Sequence, residues 1–367
     1  MFITSGRISY LILILFTYNL SLSQSENNFA KGWDYFIKND FVNAKANFAE
    51  ASENGIKPAE SELMLSLIES IGFNPDKAFP HFLKYYESDT NPYPALKCLW
   101  TTPCLYNTRG KLEKEKLKFL KSLINSDKVN GTIKAYAYCQ MGYHYERLND
   151  FAEADDYFEK IGAIMNWQLA GEFENISGSG FDKEFEPMNH PEQSYHFKNR
   201  NGADVTWFDL PRLRPSRWVH LQNHFYTGNS IIFAQSFCNS PAEQIVYLRI
   251  GTSGSLKAWV NDKLAIIEEE ERNNDLDTYT AKIKLAAGWN RILLQVGGST
   301  IEYTNFLARI TDSLGNATDD ITYTNEYKPY SKNVNFNYEQ IPDEEEQYFT
   351  EQIRKNPANL INYFLLA

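Results

Sequence analysis

The sequence predicts a multidomain protein, α then β: an N-terminal α-helical solenoid, an antiparallel β-sandwich after it, and the start of a further helical repeat at the C-terminus. A Gly-x-x-Tyr element followed by an Ala-x-x-x-Phe element recurs with one internal spacing before residue 165. After Trp167 the period falls to two, in short runs punctuated by Gly, Asn and Asp. Phe349, Asn356-Pro357 and the apolar run from Leu360 to Leu366 then bring back a helical pattern.

The first copy of the repeat is Gly32, Tyr35, Ala44 and Phe48; the second is Gly142, Tyr145, Ala154 and Phe158. Each separates Gly from Ala by twelve positions. Small residues let two helices cross closely, and the aromatic rings fill the space around the crossing. Lys38-Asn39-Asp40 and Leu148-Asn149-Asp150 supply the turns between paired helices. Ala78 falls 34 residues after Ala44, and Phe82 follows it, so a degenerate repeat is in register with Ser66 at the close-approach position. With a further amphipathic helix after Gly110, roughly four hairpins are expected between residues 27 and 165. No single hairpin buries its own face, so the array must be cooperative.

Gln244 to Ile250 reads as a strand apolar on both faces. Leu256 to Val260, the turn Asn261-Asp262 and Leu264 to Ile267 form a hairpin, because Asn and Asp tolerate the positive φ of a two-residue turn. Thr278 to Leu285 and Arg291 to Val296 flank Ala286 to Asn290, and Phe306 to Thr311 adds a last strand. With Arg217 to His224 and Ile231 to Ser236, about eight strands are expected at sandwich spacing.

The Gly/Tyr/Ala/Phe pattern resembles the tetratricopeptide repeat. Trp167 to Asn175, Gly178 to Asp182 and Val205 to Trp207 look like the opening of a galactose-binding-like jelly-roll module. Lys257 to Lys263 resembles that family's Trp-centred hairpin, and Leu285 to Asn290 its Leu-x-x-Gly-x-Asn turn, with Asp262 and Glu172 departing from the usual Gly and Pro. These motifs are structural, so the resemblance implies a fold and, for function, only the company such modules keep in exported bacterial proteins. In related architectures a further region, sometimes transglutaminase-like, follows the module.

The expected division is a signal peptide at 1–23, repeats at 24–165, the sandwich at 166–315, a linker at 316–341, and a truncated repeat at 342–367. Arg7, the apolar run Tyr10 to Phe16 and Ser21-Leu22-Ser23 carry the signal-peptide expectation, with the product periplasmic or extracellular and no stable membrane insertion after cleavage. The apolar core is short of the roughly 20 residues a spanning helix needs. In an oxidising compartment a Cys98–Cys104 bridge is one reading, two core thiols the other, and Cys139 and Cys238 read as buried small hydrophobes. A net charge of −11 without a basic stretch argues against nucleic acid as a partner.

No nucleophile elbow, phosphate loop, dinucleotide fingerprint or His-Glu-x-x-His motif occurs, so no catalytic residue, cofactor or metal is expected and the chain is read as no enzyme. His220 and His224 would stand about 13 Å apart on a strand, too far to share a metal. Asn273, Asn274, Asp275 and Asp277, after the acidic run Glu268 to Glu271, suit calcium chemically but read more simply as a solvated loop, as do Asp312, Asp319 and Asp320. Of Trp207, Trp218, Trp259 and Trp289, the candidates for glycan contact are Trp259 and Trp289, with core packing as the competing reading for each. The leading expectation is a non-catalytic cell-envelope interaction or scaffolding protein that binds a protein or peptide in the repeats, with the sandwich as spacer or second contact surface. The alternative is a carbohydrate-binding accessory module of a longer enzyme, possessing its catalytic part elsewhere.

Overall fold

The computed structural model describes residues 28–106, 108–211, 216–301, 303–332 and 335–366, so the signal-peptide expectation falls outside the described residues. Helices come first, a large antiparallel sheet system follows, and two helices close the described chain. The described residues form two compact units: those up to 116 together with those from 344 on, and those from 117 to 343. The second unit thus begins well before the boundary expected at 166.

In the first unit, α1 (Asn28–Ile37) and α2 (Phe41–Glu53) make one hairpin and α3 (Pro58–Ile71) and α4 (Pro75–Ser88) another. Both turns carry a non-glycine residue at positive φ, Asn39 at 60° and Phe73 at 55°. The short helices α5 (Tyr93–Leu99) and α6 (Pro103–Tyr106) follow. α7 (Glu113–Ile124) contains the division between the units.

The second unit opens with the hairpin α8 (Gly131–Arg147) and α9 (Phe151–Glu159), and its sandwich has two layers sharing one long strand. β7 (Gln244–Val260) pairs through its first half with β9 (Tyr279–Leu285) and β11 (Asn305–Thr311), and through its second half with β8 (Lys263–Asn273) and β10 (Gly288–Gly298). The two runs read from sequence as separate strands are therefore one, bent where Gly254 takes φ of +125°. β10 continues the second layer to β6 (Ser230–Ser240) and β1 (Gln168–Glu174). Alternate side chains of both layers, among them Leu248, Ala258, Ile283, Leu294 and Phe306, bury the core between them.

Two sequence expectations need correction. The strand expected over Arg217 to His224 is only β5 (Val219–His220), because the chain turns into a 3₁₀ segment at Leu221–Asn223. The stretch 316–341 is not a free linker: β12 (Thr322–Thr324) pairs with β6 and β13 (Glu339–Ile341) with β9. Tyr327 and Tyr330 between them lie 5.7 and 6.1 Å from the ring of Phe237, which they help to cover.

The α8–α9 hairpin belongs with the sandwich because it hydrogen bonds onto a buried ion pair of the sandwich. Arg309 of β11 grips the carboxylate of Asp277, its Nε 2.8 Å from Oδ1, and both side chains are at most 3% exposed. Thr132 of α8 donates to the same carboxylate at 2.7 Å, Arg309 donates to the carbonyls of Ile161 (3.0 Å) and Gly315 (2.9 Å), and Tyr136 donates to that of Leu276 (3.1 Å). Burial alone would push the Asp277 carboxyl up, but Arg309's charge and hydrogen bonds, with Arg249 and Thr132, outweigh it and hold it below its ordinary value. A folded-state carboxyl held low contributes stability that is present above the unfolded pKa, near 3.9, and lost as pH falls through the folded value. Asp277→Asn should cost about 3–5 kcal/mol in urea unfolding at pH 7. The deficit relative to wild type should shrink as pH is lowered below about 4; a deficit that stays constant there would show that the carboxylate does not carry the effect.

Candidate functional site

The repeat residues sit at helix crossings, as their spacing predicts. A Cβ added to Gly32 would lie 2.8 Å from the Phe48 ring, and one added to Gly142 2.6 Å from the Phe158 ring. Ala44, Phe48, Ala78, Phe82, Ala154 and Phe158 are fully buried, while Tyr35 and Tyr145 remain partly exposed and Tyr145 stacks on Tyr157 at 5.5 Å. The turn chemistry repeats too: Asp40 caps α2 by accepting from Asn43 N, and Asp150 caps α9 by accepting from Glu153 N.

Between the first two hairpins lie polar contacts that sequence reasoning missed. Glu62 of α3 accepts from Ser52 (2.7 Å), His81 (2.6 Å) and Lys84 (3.2 Å), and Glu69 pairs with Lys45 of α2. Burial would raise the Glu62 carboxyl, but those hydrogen bonds hold it below its ordinary value. Seven residues apart on one helix, the two glutamates share a face, which was the available signal.

The first hairpin also presents an aromatic surface. Phe36 lies 5.5 Å from Trp33, 5.6 Å from Phe41 and 5.6 Å from Phe364, between ring centroids. Phe364 belongs to α11 (Leu360–Leu366), which with α10 (Glu344–Lys355) returns to this unit. Phe349 and Ile361 are buried there, and Glu345 pairs with Lys97 of α5. The repeat expected from 342 on thus packs within the first unit. The indole Nε1–H of Trp33 is buried without an acceptor among the described residues.

In the second unit the tryptophans chosen for glycan contact are largely covered. Trp259 is 8% exposed, in one buried cluster with Phe173, Phe233 and Leu293 of the strands and Phe197 and Trp207 of the segment after β1. That segment is fastened by outward-pointing polar residues: Arg291 donates to the carbonyls of Pro187 (2.8 Å) and Met188 (2.9 Å), and Lys257 and Gln295 to that of Phe181. Alternation alone cannot distinguish such a face from a wet one. Trp289 is partly exposed, with the Lys328 ammonium 5.7 Å from its ring centre. Asn261 and Asn290, in the two motif turns, hydrogen bond to each other at 2.7 Å.

Asp277 is committed to Arg309, which removes it from any calcium set, and Asp312 closes its own loop by accepting from Leu314 N and Asn316 N. Among the described residues no group of His, Cys, Asp and Glu is arranged to hold a metal. The four cysteines are free thiols; burial pushes Cys104, Cys139 and Cys238 up to about 12, far from thiolate reactivity. A cleft of about 380 Å³ lies between Lys134, Tyr138, Lys160, Asn316, Asp319 and Tyr323, with Arg309 at its wall. It mixes both charge signs, and the Arg309 donors are already taken by Asp277, Ile161 and Gly315. No described helix is long and apolar enough to cross a membrane.

No protein-family model matches the chain, and no curated protein does. Among solved structures it is similar to beta-glucosidase from Kluyveromyces marxianus in complex with glucose, at 15% identity and a TM-score of 0.25, over 52% of this chain and 18% of that one. The selenomethionine-labelled form of the same enzyme aligns at 16% identity and a TM-score of 0.23, over 51% and 16% of the respective chains. This chain therefore spans less than a fifth of the length of either, and likeness at such scores carries no inference about activity.

Gly32→Ala and Gly142→Ala should each cost about 1–3 kcal/mol in denaturant unfolding, since a rigid ring must move aside. Trp259→Ala should cost about 3–5 kcal/mol as a core deletion, against under about 1 kcal/mol for Trp289→Ala. Equal costs for the two tryptophans would contradict this assignment of core and surface.

Proposed function

We propose that this chain is a non-catalytic interaction or scaffolding protein of the cell envelope, whose helical hairpins bind a protein or peptide partner while the sandwich serves as spacer or second contact surface. The observation that carries this reading is the contact of Phe364 with Phe36: the aromatic surface of the first hairpin takes up a short apolar helix, here the chain's own. The tetratricopeptide-like Gly–Phe crossings support it by supplying a rigid frame for such a surface. Export rests on the leader-like start of the sequence alone.

Carbohydrate binding by the galactose-binding-like sandwich is the second reading, on residues other than the tryptophans. Tyr226 and Tyr303 are 71% and 66% exposed on loops that meet around Gly298, where Thr227 O, Ile301 O and Thr304 Cγ2 converge. Aromatic rings offered this way suit the C–H face of a sugar, in this chain alone or as an accessory module of a longer enzyme.

A photo-crosslinking residue placed at Tyr35, and separately at Tyr226, separates the two in the full-length protein. The expected outcome is a saturable crosslink from position 35 to one protein partner and a blank glycan array. Glycan binding lost on Tyr226→Ala, with no saturable crosslink from position 35, would overturn the leading reading in favour of the second.

A further inference from the structure

We infer that the C-terminal helix pair, α10 and α11, is a built-in occupant of the partner surface on the first hairpin, and that an external amphipathic helix with an aromatic residue in place of Phe364 displaces it. The inference rests on the protein-binding reading of the helical unit.

α11 meets the first hairpin through Phe364 against Phe36, edge-on at 76°, and Ile361 is buried to 5% exposure. α10 adds buried Phe349 and the ion pair of Glu345 with Lys97. The fit is incomplete, because the Trp33 Nε1–H, one ring away from Phe36, finds no acceptor among the described residues. A buried donor without a partner is a standing penalty on the bound arrangement. An external helix that repeats the aromatic contact and brings a carbonyl or carboxamide oxygen to Trp33 has an advantage that the chain's own helices lack, and differential affinity of that kind is what shifts such an equilibrium.

The probe is a fluorescein-labelled peptide of residues 356–366, titrated by anisotropy into the full-length protein. In Ile361→Ala/Phe364→Ala, where the internal helix is released, binding should be at least tenfold tighter than in wild type, and Phe36→Ala added to that background should remove the gain. Hydrogen exchange should show faster amides at 360–366 and unchanged protection at 28–53; if 28–53 also loosens, Lys97→Ala replaces the double variant as the milder release. Equal affinity for wild type and released protein, binding indifferent to Phe36→Ala, or no binding to a released protein with 28–53 intact would each overturn the inference. A protein partner crosslinked at Tyr35 equally well in wild type and released protein would overturn it too, while leaving the protein-binding reading in place.

Discussion

A carboxylate taken fully out of water has to meet a cation and enough donors, and the second unit is arranged around one such case. Asp277 sits in the loop before β9, Arg309 on β11 and Thr132 on α8, so the sheet system supplies the cation, but the full set of donors is assembled only when helix and sheet are together. A buried pair of this kind adds little net stability over apolar residues of the same shape, but leaving half of it is costly, which makes the arrangement all-or-none. The same guanidinium also holds the carbonyls that follow α9 and β11, at Ile161 and Gly315. The α8–α9 hairpin, a repeat by its sequence, is thereby part of the sandwich by its energetics.

Apolar contacts do the comparable work in the first unit. Phe48 lying over Gly32 fixes how closely α1 and α2 approach, and Ser52, Glu62, Lys45 and Glu69 add polar links from that hairpin to the next. The aromatic residues left on α1 are met by the returning α10 and α11. An array of hairpins always has a terminal face with nothing of its own to pack on. Here α11 meets Phe36 through Phe364 but offers Trp33 no acceptor among the described residues, which is the physical ground for reading that surface as a place of exchange.

Much of this was legible in the sequence because it is local. Gly32 with Ala44, and Gly142 with Ala154, report a crossing that needs no distant partner, and Asn39-Asp40 and Asn149-Asp150 report capped turns. The Asn261-Asp262 turn appears as read, with φ of 53° and 64°. What was not legible depends on long-range pairing. Thr252 to Ser255 looks like a loop, yet the strand runs through it because Gly254 permits the bend. Trp259 looks like a platform, yet it is buried in one cluster with Phe197 and Trp207, which lie far away in sequence. Of the interaction surface, Phe36 and Phe364 could each be named as apolar, but nothing in their spacing says that they meet.

Native-state hydrogen exchange of the full-length protein, followed peptide by peptide in dilute denaturant, tests most directly how the chain is partitioned. Amides of 131–159 should open with the same free energy as those of β10, since the bonds of Thr132 and Ile161 to the buried Asp277–Arg309 pair tie helix and sheet into one cooperative body. Opening of 131–159 together with 28–99, and independently of β10, would contradict the account.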